Sequence, residues 1–281
     1  LAEPIQAAAP MVLAADVNLE GLTEGKQEAS ADLSDGVSVQ IFQGKSPLEQ
    51  KLVVFDHGQQ LKELESGKFI QAISFEFGPS RYWIISAYSG GAHCCAVYYF
   101  FCRPEGDRPL RSLGETPGHN GGPLKLKGAT LFIRGQMYFA GLDNRFDYFH
   151  ESHAGSRLVN VPRVFYRLSP DSLHLDNAAF KEIYLKEAVD ADVEILKEAS
   201  NRLAKPEAIL APGLGSGYES LHFSDNLGQL LITRTILFLY AREDARAWQS
   251  LEEDVKKYYR TTKWVPELQR EIQQMMSEKA Y

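Results

Sequence analysis

The residues with the richest chemistry lie in the segment YSGGAHCC (88–95), where His93, Cys94 and Cys95 follow one another directly. An imidazole and thiolates are ligands that Cu(I) and Zn(II) accept, and thiols also carry redox chemistry. Successive residues on a strand point to opposite faces, so three consecutive side chains cannot easily hold one ion. The segment therefore leaves two interpretations open: a copper or zinc site, or a turn with structural cysteines.

Gly90 and Gly91 interrupt the chain just before this group. Glycine tolerates positive φ and lets another backbone or a ligand approach closely. We therefore expect a turn here, and we count both glycines with His93, Cys94 and Cys95 as candidate binding residues. The six residues from Ser89 to Cys94 could close a hairpin loop.

The third cysteine, Cys102, ends the aromatic run CAVYYFFC. If this run is one extended strand, its two cysteines lie about 23 Å apart, far beyond the ~6 Å that a disulfide spans. A strained disulfide between the adjacent Cys94 and Cys95 then remains, with Cys102 as a buried free thiol. The alternative is that all three thiols are reduced.

A second polar group, His150, Glu151 and His153, follows an aromatic run in FDYFHESHAGS (146–156). The spacing differs from H-E-x-x-H, which binds zinc through two histidines one helical turn apart. A hydrolase that uses these three residues with distant carboxylates is one interpretation, and a polar loop after a strand is the other.

The elements that must position both groups are β-strands. Between residues 36 and 170 the chain contains roughly nine short runs rich in β-branched and aromatic residues, separated by turn residues. This pattern predicts a β domain over residues 36–170, built as an antiparallel meander, a sandwich or a partial propeller. Residues 1–35 show no strong period and are expected to be a leader or linker with at most one short strand.

From residue 171 the apolar residues recur at helical spacing. Phe180, Tyr184, Ala188, Ile195 and Ala199 form one such stripe. Pro266 suits the first turn of a final helix. We expect an α+β protein, in which residues 171–281 form a helical unit packed on the β domain because one-sided stripes need a surface to bury against.

The run SGGAHCC followed by an aromatic strand resembles a signature of uncharacterised secreted or periplasmic bacterial proteins, some of them similar to integrin-like FG-GAP propeller repeats. The later aromatic segment at 146–156 resembles the same proteins, so the likeness covers about residues 70–170. It implies export and a β fold and assigns no activity. The D-x-D-x-D-G calcium loop of FG-GAP repeats is absent, and Asp143, Asn144 and Asp147 are a poor substitute for it.

The charge balance argues against some partners. Thirty-seven acidic and 30 basic residues give a net charge of −7, which repels phosphate backbones, so we expect no nucleic-acid partner. We also expect no transmembrane segment, because Arg234 interrupts the longest apolar run. The small residues that follow Leu1 fit a mature end left by cleavage, and we expect a periplasmic or secreted protein.

Three functions follow from these observations. The first is a non-enzymatic envelope or secreted protein that binds or assembles with an unknown protein or envelope component and needs no cofactor. The second is a metal-binding or thiol-redox protein centred on His93, Cys94 and Cys95, with copper or zinc. The third is the hydrolase based on His150, Glu151 and His153.

Overall fold

The structure is a computed structural model. It describes residues 11–22, 28–44, 49–88, 96–106, 108–118, 124, 126–133, 136–142, 162–203, 226–260, 262–263 and 265–277. The described residues fall into two compact units. A β unit comprises the residues up to Leu142 together with Phe165–Leu175, and a helical unit comprises Asp143–Val164 and Asp176–Ala280.

The β unit contains three open antiparallel sheets. The central sheet has the order β1-β6-β7-β8-β9, and the outer sheets have the orders β2-β3-β4-β5 and β10-β11-β12-β13. In each sheet the neighbouring strands follow one another along the chain, except that β1 pairs with β6. The strands are β1 (Val12–Asn18), β2 (Glu28–Asp32), β3 (Val37–Gln43), β4 (Gln50–Asp56), β5 (Gln59–Ser66), β6 (Lys68–Phe77), β7 (Ser80–Tyr88), β8 (Ala96–Arg103), β9 (Arg111–Gly118), β10 (Thr130–Ile133), β11 (Gln136–Leu142), β12 (Arg163–Leu168) and β13 (Leu173–Leu175).

The inner strands β7 and β8 of the central sheet are buried on both faces, which explains why they are apolar almost throughout. Trp83 and Phe101 belong to a core shared with the sheet of β2–β5. Tyr82 and Phe100, their neighbours along the strands, belong to a second core that also contains Phe139 of β11. Because successive side chains alternate between faces, a strand covered on both sides shows no polar alternation.

The segment expected to be a leader or linker contains two paired strands. β1 pairs with β6 from Val12 to Asn18, and β2 pairs with β3 from Glu28 to Asp32. Leu19 and Leu33, which follow these strands, are buried in the core beneath the sheet of β2–β5. The sequence pattern missed these strands because β1 and β2 lie at sheet edges and carry little apolar alternation.

The α+β class is confirmed, since the sheets are followed by helices. A one-turn helix, α1 (Leu126–Ala129), lies before β10, and a 3-10 turn covers Asn177–Phe180. The long helices are α2 (Lys181–Leu203), α3 (Asn226–Tyr240), α4 (Asp244–Tyr259) and α5 (Val265–Ser277). β13 extends the β unit to Leu175, a few residues beyond the boundary expected at 170. Among the described residues, no helix combines the length and apolar character needed to cross a membrane.

The helical unit confirms the apolar stripe on α2. Tyr184, Ala188, Ile195 and Ala199 are all buried. α3 packs against α2 and α4, and nearly all of its residues are buried. Within this apolar helix Arg234 pairs with Asp192 of α2 at 2.7 Å and with Asp254 of α4 at 2.6 Å. These two ion pairs tie the three helices together.

Candidate functional site

The residues predicted to bind or react lie outside the described residues. This holds for Gly90, Gly91, His93, Cys94 and Cys95, and equally for His150, Glu151 and His153. The metal site, the Cys94–Cys95 disulfide and the hydrolase constellation therefore stay predictions. Among the residues that the structure does describe, no group of three or more His, Cys, Asp or Glu could hold a metal ion.

The strands on either side of the segment 89–95 are placed as predicted. β7 and β8 are antiparallel neighbours, and Tyr88 at the end of one lies opposite Ala96 at the start of the other. Ile84 lies opposite Phe100 in the same pairing. Tyr82 and Ile84 therefore lie on the strand next to that of Tyr98 and Phe100, as the hairpin expected around Gly90 and Gly91 requires.

Cys102 is a buried free thiol, as expected. It lies opposite Tyr82 across the β7–β8 pair. Burial raises the pKa of the Cys102 thiol to about 12, although hydrogen bonds with Tyr82 and Ser80 partly offset that effect. A thiol in this state is neutral at physiological pH and is a poor nucleophile and metal ligand.

A group of charged residues in the β unit surrounds Arg103 at the end of β8. Its guanidinium group donates hydrogen bonds to Asp35, in the turn between β2 and β3, and to Asp56, at the end of β4. The cation also lies over the ring of Trp83, 5.4 Å from the ring centroid. Arg103 thus joins β8 of the central sheet to two turns of the neighbouring sheet.

Asp56 is the most heavily bonded carboxylate in this group. It accepts a hydrogen bond from the Leu110 backbone N–H at 2.9 Å and contacts His57 Nδ1 at 2.8 Å. Burial alone raises the pKa of Asp56, but the bonds from Leu110 and His57 and the charge of Arg103 outweigh it, and the pKa is lowered. The carboxylate is therefore ionised across the physiological range.

The turns beside Arg103 have unusual backbone conformations. Ser34, Asp35 and His57 are non-glycine residues with φ of 84°, 51° and 47°. The His57 ring lies so close to Gly36 that a Cβ there would be 2.6 Å from Nε2. Left-handed non-glycine residues are uncommon and persist where the surroundings hold them.

His57 and Asp56 have the arrangement of an acid–base pair. The Asp56 carboxylate can only accept, so Nδ1 of His57 donates the hydrogen bond between them. The His57 side chain is 70% exposed, and within the described residues no nucleophilic side chain is bonded to it. The hydrogen bonds present connect the two turns to β8, which is a structural role.

A shallow cavity of about 400 Å³ lies near the other ends of β5, β8 and β9. Glu49, Glu65 and Glu115 line it, and Tyr99 contributes to its wall. Tyr99 donates a hydrogen bond to the Glu65 carbonyl at 3.3 Å. Burial raises the pKa of Tyr99, and the nearby Glu115 charge raises it further. This negative surface disfavours anions.

The helical unit carries an apolar surface that the sequence analysis did not identify. Val189, Val193 and Leu196 of α2 are 54%, 59% and 58% exposed, and we call these three residues the α2 stripe. Their spacing of four and three residues places them on one face of the helix. The signal was present in the sequence as a second apolar set at helical spacing, on the face opposite to the predicted one.

Charged residues accompany the α2 stripe. Lys186 donates to Asp190 at 2.8 Å, and Lys197 donates to Glu194 at 3.2 Å. Both pairs lie within α2 and each joins one positive and one negative side chain, so these four residues add no net charge beside the stripe.

The sequence matches no family model, no curated protein and no solved structure. The fold and the α2 stripe are therefore the basis for a proposed function.

Proposed function

We propose that this protein is a non-enzymatic binding or assembly protein, exported to the periplasm or secreted, that docks a protein partner on the α2 stripe. The observation that carries the proposal is the exposure of three large aliphatic side chains on one face of one helix. Single exposed aliphatic residues are common on protein surfaces, whereas contiguous apolar patches mark interaction sites.

The contrast with other exposed aliphatic residues supports this interpretation. Val12 and Leu13 of β1 are 54% and 55% exposed, but as neighbours on a strand they point to opposite faces and form no common surface. Leu61 on β5 and Leu175 on β13 are 37% and 40% exposed, and each stands alone on its strand. The α2 stripe combines three exposed residues on one face, each more exposed than Leu61 or Leu175. Covering its exposed area would contribute on the order of 1 kcal/mol per residue, because full burial of a Val or Leu contributes about 1.5–3 kcal/mol.

The opposite face of α2 holds the stripe in a fixed position. Tyr184 is fully buried, and its hydroxyl donates to the Arg163 carbonyl at 3.0 Å. Ala188 and Ile195 are buried on the same side, and Asp192 is paired with Arg234. A surface carried by an anchored helix is formed before the partner arrives, which reduces the entropy cost of binding.

The proposed location rests on the sequence. The SGGAHCC segment resembles a signature of exported bacterial proteins, and the negative net charge fits a partner that is a protein or envelope component. Cell fractionation of the native host, with the chain detected by antibody, tests this part. Recovery with cytosolic markers would contradict export and would leave the docking surface unaffected.

The docking surface is tested by introducing a photo-crosslinking amino acid at position 193 of the full chain in its native host. We expect a discrete crosslinked product that contains the chain and a protein partner. The same amino acid at position 61 is the matched control, because Leu61 is an exposed but isolated aliphatic residue. If irradiation yields no product at position 193, or the same product at both positions, the docking proposal is wrong.

A further inference from the structure

We propose that the partner on the α2 stripe is a second copy of this chain, bound through antiparallel packing of the two α2 helices. This inference rests on the proposed docking function and names the occupant of the same surface. The observation behind it is that apolar residues of α2 lie on one side of Val193 and charged residues lie on the other side.

Successive residues of a helix are rotated by about 100°, which fixes the side of Val193 on which each neighbour lies. Val189 and Leu196 are displaced by about 40° and 60° to one side of Val193. Asp190 and Lys197 are displaced by about 60° and 40° to the other side. The exposed face of α2 therefore has an apolar side and a charged side, with Val193 between them.

A two-fold axis through Val193 brings like sides of the two helices together. Two-fold symmetry places the same patch on both copies, so in an antiparallel pair the apolar side faces the apolar side and the charged side faces the charged side. Residues equally far before and after Val193 then come to the same height. Val189, four residues before Val193, lies within about one residue rise, 1.5 Å, of the height of Leu196 in the other copy.

The charged side is complementary in the same register. Asp190 precedes Val193 by three residues and Lys197 follows it by four, so Asp190 of one copy lies about 1.5 Å in height from Lys197 of the other. Two symmetric acid–base pairs form, and each adds to the intrahelical pairs Lys186–Asp190 and Glu194–Lys197. Parallel packing would instead set the charged side against the apolar side.

The contact is small, because it comprises one face of one helix. It belongs at the low end of interface sizes, where association is weak and reversible. We therefore expect a monomer–dimer equilibrium that depends on protein concentration. The full chain, with both of its units, is the molecule to be measured.

Sedimentation equilibrium of the purified chain over a concentration series tests the inference. Val193→Glu places two carboxylates at the axis and should raise the dimer dissociation constant at least about tenfold. Asp190→Lys or Lys197→Glu alone should raise it severalfold, and the double variant should restore it to within about threefold of the unmodified chain. Leu61→Glu is the control that should leave dimerisation unchanged, and thermal melts establish that each variant is folded.

Three outcomes would overturn the second copy as the partner. The unmodified chain could remain monomeric throughout the series, Val193→Glu could leave the dissociation constant unchanged, or the double variant could dimerise as weakly as the single variants. A monomeric chain that still crosslinks at position 193 to a different protein would retain the docking function and reject self-association. A chain that gives no crosslink at position 193 would reject both.

Discussion

Arg103 donates a hydrogen bond to Asp56 at the place where the end of β8 meets the end of β4. Only 9% of the Arg103 side chain and 15% of the Asp56 side chain are exposed, so this ion pair is mostly withdrawn from water. It joins two different sheets of the β unit. A paired buried charge contributes little in itself, but its removal leaves the remaining charge without compensation.

Replacing Arg103 should therefore destabilise the protein. Arg103→Met removes the cation that faces Asp35 and Asp56, and we expect a loss of about 3 kcal/mol in the free energy of unfolding in urea. Arg111→Met is the matched control, because Arg111 pairs with Asp171 at an exposed position and should cost less than about 1 kcal/mol. Equal losses for the two variants would contradict a special role for the Arg103 group.

The Asp56 carboxylate should make the free energy of unfolding depend on pH in the acidic range. Its pKa in the folded protein is lowered from the ordinary value of 3.8, so its stabilising effect is complete above that value and is lost as pH falls through the lowered pKa. The difference in unfolding free energy between the unmodified chain and Asp56→Asn should be constant near neutral pH and should shrink below about pH 4. Urea titrations at a series of pH values measure it. A difference that stays constant down to pH 2 would show that Asp56 does not titrate as proposed.

The buried face of α3 should tolerate no charge. Leu231 and Phe238 are 0% and 1% exposed, and Leu231→Asp or Phe238→Asp would place an unpaired carboxylate in an apolar core. We expect severe destabilisation, more than about 4 kcal/mol, seen as a large drop in the thermal midpoint. Leu61→Asp on the exposed face of β5 is the control and should change the midpoint little. A melt unaffected by the α3 substitutions would show that this helix is not part of the folded core.

The Cys102 thiol should be unreactive while the protein is folded. Because burial raises its pKa to about 12, almost no thiolate is present near pH 8. In a variant that carries Cys94→Ser and Cys95→Ser, we expect a thiol reagent to modify Cys102 only at the rate of unfolding. Urea should accelerate the reaction in step with the unfolding transition. Fast modification without denaturant would show that the β7–β8 pair opens locally.

The adjacent cysteines give a separate prediction. A Cys94–Cys95 disulfide leaves Cys102 as the single thiol, so denaturation without a reductant should expose one titratable thiol per chain. Three thiols would exclude the disulfide. Metal analysis of the purified protein, by mass spectrometry of copper and zinc, tests the alternative that His93 and the two cysteines hold an ion.

Strands β7 and β8 of the central sheet were predictable because their composition is extreme. Burial on both faces demands an apolar residue at nearly every position, and the runs around Tyr82 and Phe100 show this without alternation. β1 was not predictable in the same way. It is an edge strand that exposes Val12 and Leu13, and its partner β6 lies more than fifty residues further along the chain. Local pattern carries no information about such a distant pairing.

The α2 stripe and the group around Arg103 were not predicted from the sequence, for a different reason. Distinctive residue types drew attention to His93, Cys94 and Cys95, whereas the α2 stripe consists of ordinary valine and leucine. Helical spacing identified the buried face through Tyr184 and Ile195, but spacing alone does not tell which of two apolar faces remains exposed. The group around Arg103 could not be predicted from the sequence either, because Asp35, Asp56 and Arg103 come together only when the two sheets pack against each other.

The pairing of β1 with β6 also has a consequence for biosynthesis. When the chain is made from its N-terminus, Val12–Asn18 emerges before Lys68–Phe77 and must wait for that segment before it has a strand to join. Contacts between residues so distant in sequence form slowly, and an unpaired strand is open to wrong partners meanwhile. The β-bulge between Leu13 and Ala15 breaks the regular row of hydrogen-bonding groups, which lowers the risk of such mispairing. β1 therefore finds its partner strand only after the four strands of the sheet β2–β5 have been made.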